Sequence, residues 1–176
     1  MEKSQIIFYE DRNFQGRCYE CSNDSSDLHS YFSHCNSIRV ENGFWVLYER
    51  PNYQGYQYVL SLGEYPDYQH WLGFSDSIKS CRIIRNVGTS WRLKIWEKPS
   101  FEGHSMEVAD NMPALHERWH SREVHSCKVF EGACVFYEHP NYRGRQYLLE
   151  RGEYRKFTEW GGLQANIGSI RLVKEI

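Results

Sequence analysis

The chain has 176 residues, 40% of them hydrophobic, and a formal net charge of −2 with acids and bases interspersed. This length allows one domain or two, and the charge pattern excludes both the basic footprint of a nucleic-acid binder and an acidic tail. No apolar run is long enough to span a membrane and residues 1–5 lack the apolar stretch of a signal peptide, so a cytoplasmic protein is expected. Its six cysteines (Cys18, Cys21, Cys35, Cys81, Cys127 and Cys134) then read as free thiols, not a disulfide framework.

Ile6-Ile7-Phe8-Tyr9-Glu10 opens the chain as a β-branched and aromatic strand. Asp11-Arg12-Asn13 is a turn, and Phe14 follows five residues after Tyr9. This spacing predicts a folded hairpin in which Tyr9 and Phe14 stack across the bend while Gly16 takes a positive φ. After a polar loop at residues 22–27, Ser37-Ile38-Arg39 begins a strand with one buried face. The Ser37 hydroxyl is placed to bond the hairpin's turn backbone, as a latch and not a nucleophile.

The same unit recurs three times. Tyr48-Glu49-Arg50-Pro51-Asn52-Tyr53-Gln54-Gly55 and Tyr137-Glu138-His139-Pro140-Asn141-Tyr142-Arg143-Gly144 are close copies, and Trp96-Glu97-Lys98-Pro99-Ser100-Phe101-Glu102-Gly103 is a looser one. Each glycine is followed, 21 to 25 residues on, by serine, an apolar residue or cysteine, then a base. The predicted latches are therefore Ser37, Ser77, Ser126 and Ser169. A repeat of roughly 40 residues is too small to bury a core alone, so pairs are the smallest folding unit. Gly63-Glu64-Tyr65 and Trp71 are answered by Gly152-Glu153-Tyr154 and Trp160, so the order is A-B-A′-B′.

Short strands at regular spacing with Gly and Pro punctuation predict an all-β protein. It comprises two β-sandwich domains, each of two Greek-key motifs. The expected boundaries are a short arm at 1–3, a first domain at 4–85 (motifs 4–43 and 44–85), a connecting peptide at 86–91 and a second domain at 92–175 (motifs 92–132 and 133–175). The best helical candidate is the stretch at 113–120, with Pro113 in a first-turn position. Val46, Val59 and Ile84 are left over once one sheet face is assigned to the core, and form a second apolar patch.

These four aromatic-Glu-three residues-aromatic-any-Gly units, each with its serine, resemble the gamma crystallins of the βγ-crystallin superfamily over residues 4–175. The chain is nearest to a gamma-S-like member, and its three methionines set it apart from the Met-rich fish class. The resemblance implies a monomeric structural protein of the lens fibre cell cytoplasm, dense, soluble and transparent. It implies no catalysis, no cofactor, and weak association with itself and with other crystallins at high concentration. It also implies a domain interface of Val46, Val59 and Ile84 with Val135, Leu148 and Val173, and buried tryptophans at Trp45, Trp71 and Trp160, with Cys134 departing at the fourth place.

Several competing chemistries fit parts of the sequence. His116-Glu117-Arg118-Trp119-His120 fits the HExxH zinc-peptidase pattern, but Glu123 and Ser126 stand where an extended zinc motif has Gly and His, and the helix is short. Cys18-Tyr19-Glu20-Cys21 with His29, His34 and Cys35 lacks the second close pair of a structural zinc site, and residues three apart in a strand face opposite ways. The calcium pattern of microbial relatives begins with two Asn/Asp. The windows at 32–37, 72–77, 121–126 and 164–169 do not, so weak or no calcium binding is expected. A calcium- or ligand-binding module with a non-lens role is the alternative reading. Glu10, Glu49, Glu97 and Glu138 recur once per repeat and are assigned a role in each hairpin, and the aromatics are assigned to packing instead of a sugar-binding platform.

Overall fold

The computed structural model describes residues 3–174, so most of the arm at 1–3 and the last residue of the second domain lie outside it. Fourteen strands are present among these residues: β1 (Gln5–Asp11), β2 (Gln15–Cys21), β3 (Ser37–Asn42), β4 (Trp45–Arg50), β5 (Gln54–Leu60), β6 (Gly63–Tyr65), β7 (Ser80–Ile83), β8 (Arg92–Lys98), β9 (Glu102–Val108), β10 (Ser126–Glu131), β11 (Ala133–His139), β12 (Arg143–Leu149), β13 (Gly152–Tyr154) and β14 (Ser169–Val173). The chain divides into two compact units, Met1–Arg85 and Asn86–Ile176, and residues 86–91 at the start of the second belong to no strand.

In the first unit the sheet order β2-β1-β3-β6 carries the key observation, because β6 comes from the second repeat and completes the sheet of the first. The second repeat's own β4 pairs with β5 and β7. The first repeat reaches back to that sheet through Ser25, which exchanges backbone hydrogen bonds with Cys81, and through Asp24, whose Oδ1 accepts the Ile83 amide. The second unit repeats the scheme: β13 joins β10, β8 and β9, β11 pairs with β12 and β14, and Met112 bridges to Ile170. A sheet edge left without its partner strand exposes unpaired amides and carbonyls, so each repeat depends on its mate for hydrogen bonds as well as for a core.

The cores follow from strand alternation, which sends every second residue inward. Ile6 and Phe8 of β1, Ile38 and Val40 of β3, Trp45 and Leu47 of β4, and Tyr58 and Leu60 of β5 close the first core with Trp71 and Ile78. Leu93, Ile95, Cys127, Val129, Cys134, Phe136, Tyr147 and Leu149 hold the corresponding positions in the second, with Trp160 and Ile170. Trp45, Trp71 and Trp160 are buried, and so is Trp119, at 2% exposure. Cys134, opposite Leu149, occupies the place that Trp45, opposite Leu60, has in the first unit. The second core carries Trp119 where the first has Phe32, so each core still contains two tryptophans.

The helix predicted at 113–120 is a single 3-10 turn, Leu115–Glu117. Leu115 and Trp119 are both buried, while the backbone leaves the helical region at Arg118 with φ −126° and ψ −14°. Residues four apart would share one face of an α-helix, so their burial does not forbid one; a stretch this short is marginal as a helix in its own right, and here it stops after one turn.

Val46, Ile84, Val135, Leu148 and Val173 are buried and Val59 is half-buried. Val46 lies opposite Val59 and Val135 opposite Leu148 in their own ladders, and none of the six belongs to either core cluster.

Strand sharing between repeats has a direct consequence. A peptide of residues 1–43 is expected to be unfolded by circular dichroism and to show no cooperative urea transition, whereas residues 1–85 give a single one. A cooperative transition in the 43-residue peptide contradicts this description.

Candidate functional site

The repeated site is the folded hairpin, built four times from the same parts. In the first, Asn13 and Phe14 both lie in the left-handed region (φ 55° and 62°), followed by Gly16 at φ 79°. The other three repeat this run: Asn52, Tyr53 and Gly55; Ser100, Phe101 and Gly103; Asn141, Tyr142 and Gly144. Two consecutive left-handed residues bearing a Cβ cost roughly 1–2 kcal/mol each, so something must hold them. The ring pairs Tyr9–Phe14, Tyr48–Tyr53, Trp96–Phe101 and Tyr137–Tyr142 pack edge to face with centroids 5.2–5.7 Å apart, a geometry worth about 0.5–1.5 kcal/mol each.

The latch is a serine hydroxyl bonded in two directions. The amides of Phe14, Tyr53, Phe101 and Tyr142 donate to the Oγ of Ser37, Ser80, Ser126 and Ser169 at 2.9–3.1 Å. Those hydroxyls donate in turn to the carbonyls of Asp11, Arg50, Lys98 and His139 at 2.5–2.7 Å. All four serines are fully buried.

The second latch is therefore Ser80, not Ser77. Two serine-apolar-base triplets follow each other here, Ser77-Ile78-Lys79 and Ser80-Cys81-Arg82. The ladder decides between them: Ser80 lies opposite Tyr48, as Ser37 lies opposite Tyr9, Ser126 opposite Trp96 and Ser169 opposite Tyr137. Ser77 precedes β7 and donates instead to the carbonyl of Glu49 at 3.0 Å. A signal in the sequence could have found this. The fourth repeat mirrors the second, and its 25-residue interval from Gly144 to Ser169 is the interval from Gly55 to Ser80.

Two further parts complete the site: a base with no role assigned from the sequence, and the repeated glutamate, whose role in the hairpin the structure makes specific. The base after the latch serine lies over the corner aromatic: Arg39 is 4.2 Å from the Phe14 ring centroid, Lys128 4.4 Å from Phe101 and Arg171 4.4 Å from Tyr142. These are cation–π contacts, each worth about 0.5–1 kcal/mol where exposed. The repeated glutamate also acts inside the bend. Oε1 of Glu49, Glu97 and Glu138 accepts the amide just after the glycine, from Tyr56, His104 and Arg145. A Cβ on Gly55 or Gly103 would stand 2.6 or 2.5 Å from that same oxygen, so a side chain there would displace the carboxylate as well as meet the penalty of a positive φ. In the first hairpin the carboxylate beside Gly16 belongs to Asp11.

The His104 amide and then the His120 ring hold Glu97 below the usual carboxylate range. Its contribution is present above the ordinary carboxylate pKa and is lost as pH falls through the depressed one.

The alternative chemistries fare as follows. His116 and His120 do not share a helical face, because the turn ends at Glu117, and His120 Nε2 pairs with Glu97 Oε2 of β8 at 2.6 Å. Among the described residues no group of three or more His, Cys, Asp or Glu side chains is placed to hold a metal ion. Cys18 is exposed and Cys21 buried, on opposite faces of β2. Moving the second latch to Ser80 moves the second calcium window to residues 75–80. It too lacks an initial Asn/Asp pair and places the Lys79 ammonium fifth, donating to the Ser33 carbonyl.

The pattern of the Beta/Gamma crystallin family matches residues 5–84 and 92–173, and the chain belongs to that family, among its gamma crystallins. It is 57% identical over 171 residues to gamma-crystallin S-1 of Chiloscyllium indicum, covering 97% of this chain and 99% of that one. It is 56% identical to gamma-crystallin B of Bos taurus (97% and 98% covered) and 56% identical to gamma-crystallin-4 of Xenopus laevis (96% and 98%). Such close values place the chain among gamma crystallins without selecting a subclass.

Substitution separates the two serines. Ser80→Ala strands a buried amide and a carbonyl and is expected to cost about 1–3 kcal/mol, while Ser77→Ala costs about 1 kcal/mol or less. Urea denaturation of both variants checks the order, and a larger loss for Ser77→Ala contradicts the assignment.

Proposed function

We propose that this gamma crystallin is a structural constituent of the eye lens, a dense, soluble, long-lived protein of the fibre-cell cytoplasm that provides refractive index and transparency. The carrying observation is the set of four latched corners in a chain that is 55–57% identical, end to end, to gamma crystallins of fish, amphibian and mammal. The chemistry of the chain suits the role. It holds 28 aromatic residues and 14 Arg against 7 Lys, planar, polarisable groups that raise refraction per unit mass and stack on one another.

The surface is built for close packing with neighbours. Charges are paired locally across strands, as in Arg39–Glu64 and Lys128–Glu153, both 3.6 Å apart at equivalent places in the two units. Such exposed pairs add little stability, but they prevent large fields of one sign. The chain acts as a monomer that meets itself and other crystallins through weak, short-range contacts. It needs no cofactor, nucleic acid or membrane.

Abundance is the test of the role. Quantitative mass spectrometry of lens fibre cells is expected to find this chain among the major soluble proteins, and its absence there overturns the proposal. Calorimetric titration is expected to give no micromolar calcium affinity, and finding one favours a binding module instead. Low net charge leaves little repulsion. The clouding temperature of a concentrated solution is therefore expected to rise as pH approaches about 6.4, and a flat or falling profile contradicts the weak-attraction account.

A further inference from the structure

Beside the fourth corner, a cleft of about 400 Å³ opens between the loop that precedes β10 and the segment that precedes β14. His116 and Arg122 line it from the loop, Asn166 and Gly168 from the segment, and His139 from the corner. We propose that this cleft binds a small phosphate-bearing anion, with the Arg122 guanidinium as its principal contact.

The first unit has the same positions and fills them differently. The amides of Lys79 and Gly168 donate to the carbonyls of Tyr48 and Tyr137, and their own carbonyls accept the amides of Leu28 and Leu115. Gly168 therefore stands where the first unit has Lys79. The Cys35 and Val124 amides donate to the carbonyls of Asp76 and Ala165 in the same way, which puts Arg122, two residues before Val124, in the place of Ser33. In the first unit the Lys79 ammonium crosses the gap and donates to the Ser33 carbonyl at 2.9 Å. No side chain can cross from residue 168, because a Cβ there would press into the backbone of His139 and Pro140. The second unit thus loses the bridge and gains a guanidinium.

That guanidinium is available to a ligand. Glu123, its neighbour in sequence, pairs instead with His125 at 2.9 Å. The carboxylate that lines the cleft, Glu138, is held by the corner: Oε1 accepts the Arg145 amide and Oε2 the Gln164 side chain, both at 3.2 Å, and His139 Nε2 lies 3.4 Å from Oε1. A guanidinium offers a rigid fork of donors that fits phosphate oxygens through charge-assisted bonds. An imidazole adds at least one N–H and the Asn166 amide two more. A cation is disfavoured at the same place, since the calcium pattern opens with two Asn/Asp and the window at 121–126 opens with Ser121-Arg122. The volume lies toward the small end of ligand clefts, which run from roughly 300 to 1,000 Å³, and suits a compact anion. His116, Arg122, His139 and Asn166 are all exposed, so solvent screens the contacts and the affinity is millimolar.

The test titrates the full-length, isotope-labelled protein with sodium phosphate, against sodium chloride of equal ionic strength at constant pH. The nuclear magnetic resonance signals of His116, Arg122, His139, Asn166 and Gly168 are expected to move saturably with one millimolar dissociation constant, while those of Ser33 and Lys79 stay in place. Arg122→Ala is expected to weaken binding about tenfold, or about 1.4 kcal/mol. Shifts that do not saturate, that chloride reproduces, or that centre elsewhere on the chain overturn the proposal, as does an unchanged affinity in Arg122→Ala. The wild-type shift map decides the matter even if the variant fails to fold.

Discussion

Everything in this molecule hangs on a serine hydroxyl that accepts an amide from a strained corner and donates to a carbonyl on the other side of it. The corner holds two successive non-glycine residues at positive φ, a cost of roughly 2–4 kcal/mol per hairpin. The aromatic pair returns about 1 kcal/mol, the cation over the ring about 0.5–1, and the doubly bonded buried hydroxyl about 1–3. No single contact offsets the strain. The hairpin folds over only when ring, base, carboxylate and serine arrive together, which is why they travel together through the chain four times.

Folding the hairpin over is what makes the sandwich possible. It turns the β1–β2, β4–β5, β8–β9 and β11–β12 pairs so that their following strand can add on the far side, and so that β6 and β13 can cross into the neighbouring repeat's sheet. Tyr65 and Tyr154 fasten those crossing strands by bonding the carbonyls of Ser61 and Glu150. The cores then fill with large rigid side chains. Truncating one such aromatic costs about 3–5 kcal/mol against a total of about 5–15 for a domain, so few substitutions are tolerated there. For a protein that must stay folded at high concentration, rigidity of this kind limits the exposure of apolar surface.

Much of this was legible in the sequence. The repeat period, the aromatic pairs, the positive-φ glycines, three of the four latches and the all-β architecture could be read from local spacing, because each depends on residues close together in one hairpin. What escaped depends on register or on tertiary placement. Ser77 and Ser80 present nearly identical neighbours, and only the pairing of β4 with β7 separates them. The segment at 113–120 looks helical by composition, but it stops after one 3-10 turn at Glu117, and so short a stretch gains little from helix propensity. The burial of Trp119 in the same core as Cys134 depends on packing between separate elements, with no periodicity to announce it.

The central claim is that the latch holds its corner in the folded state, and amide exchange reads that directly. The corner amides of Phe14, Tyr53, Phe101 and Tyr142 are expected to exchange only through unfolding of their domain, with protection equal to that of core strand amides such as those of Phe8 and Phe136. Exchange of these four at the rate of exposed loop amides, while the core strands remain protected, would contradict the account.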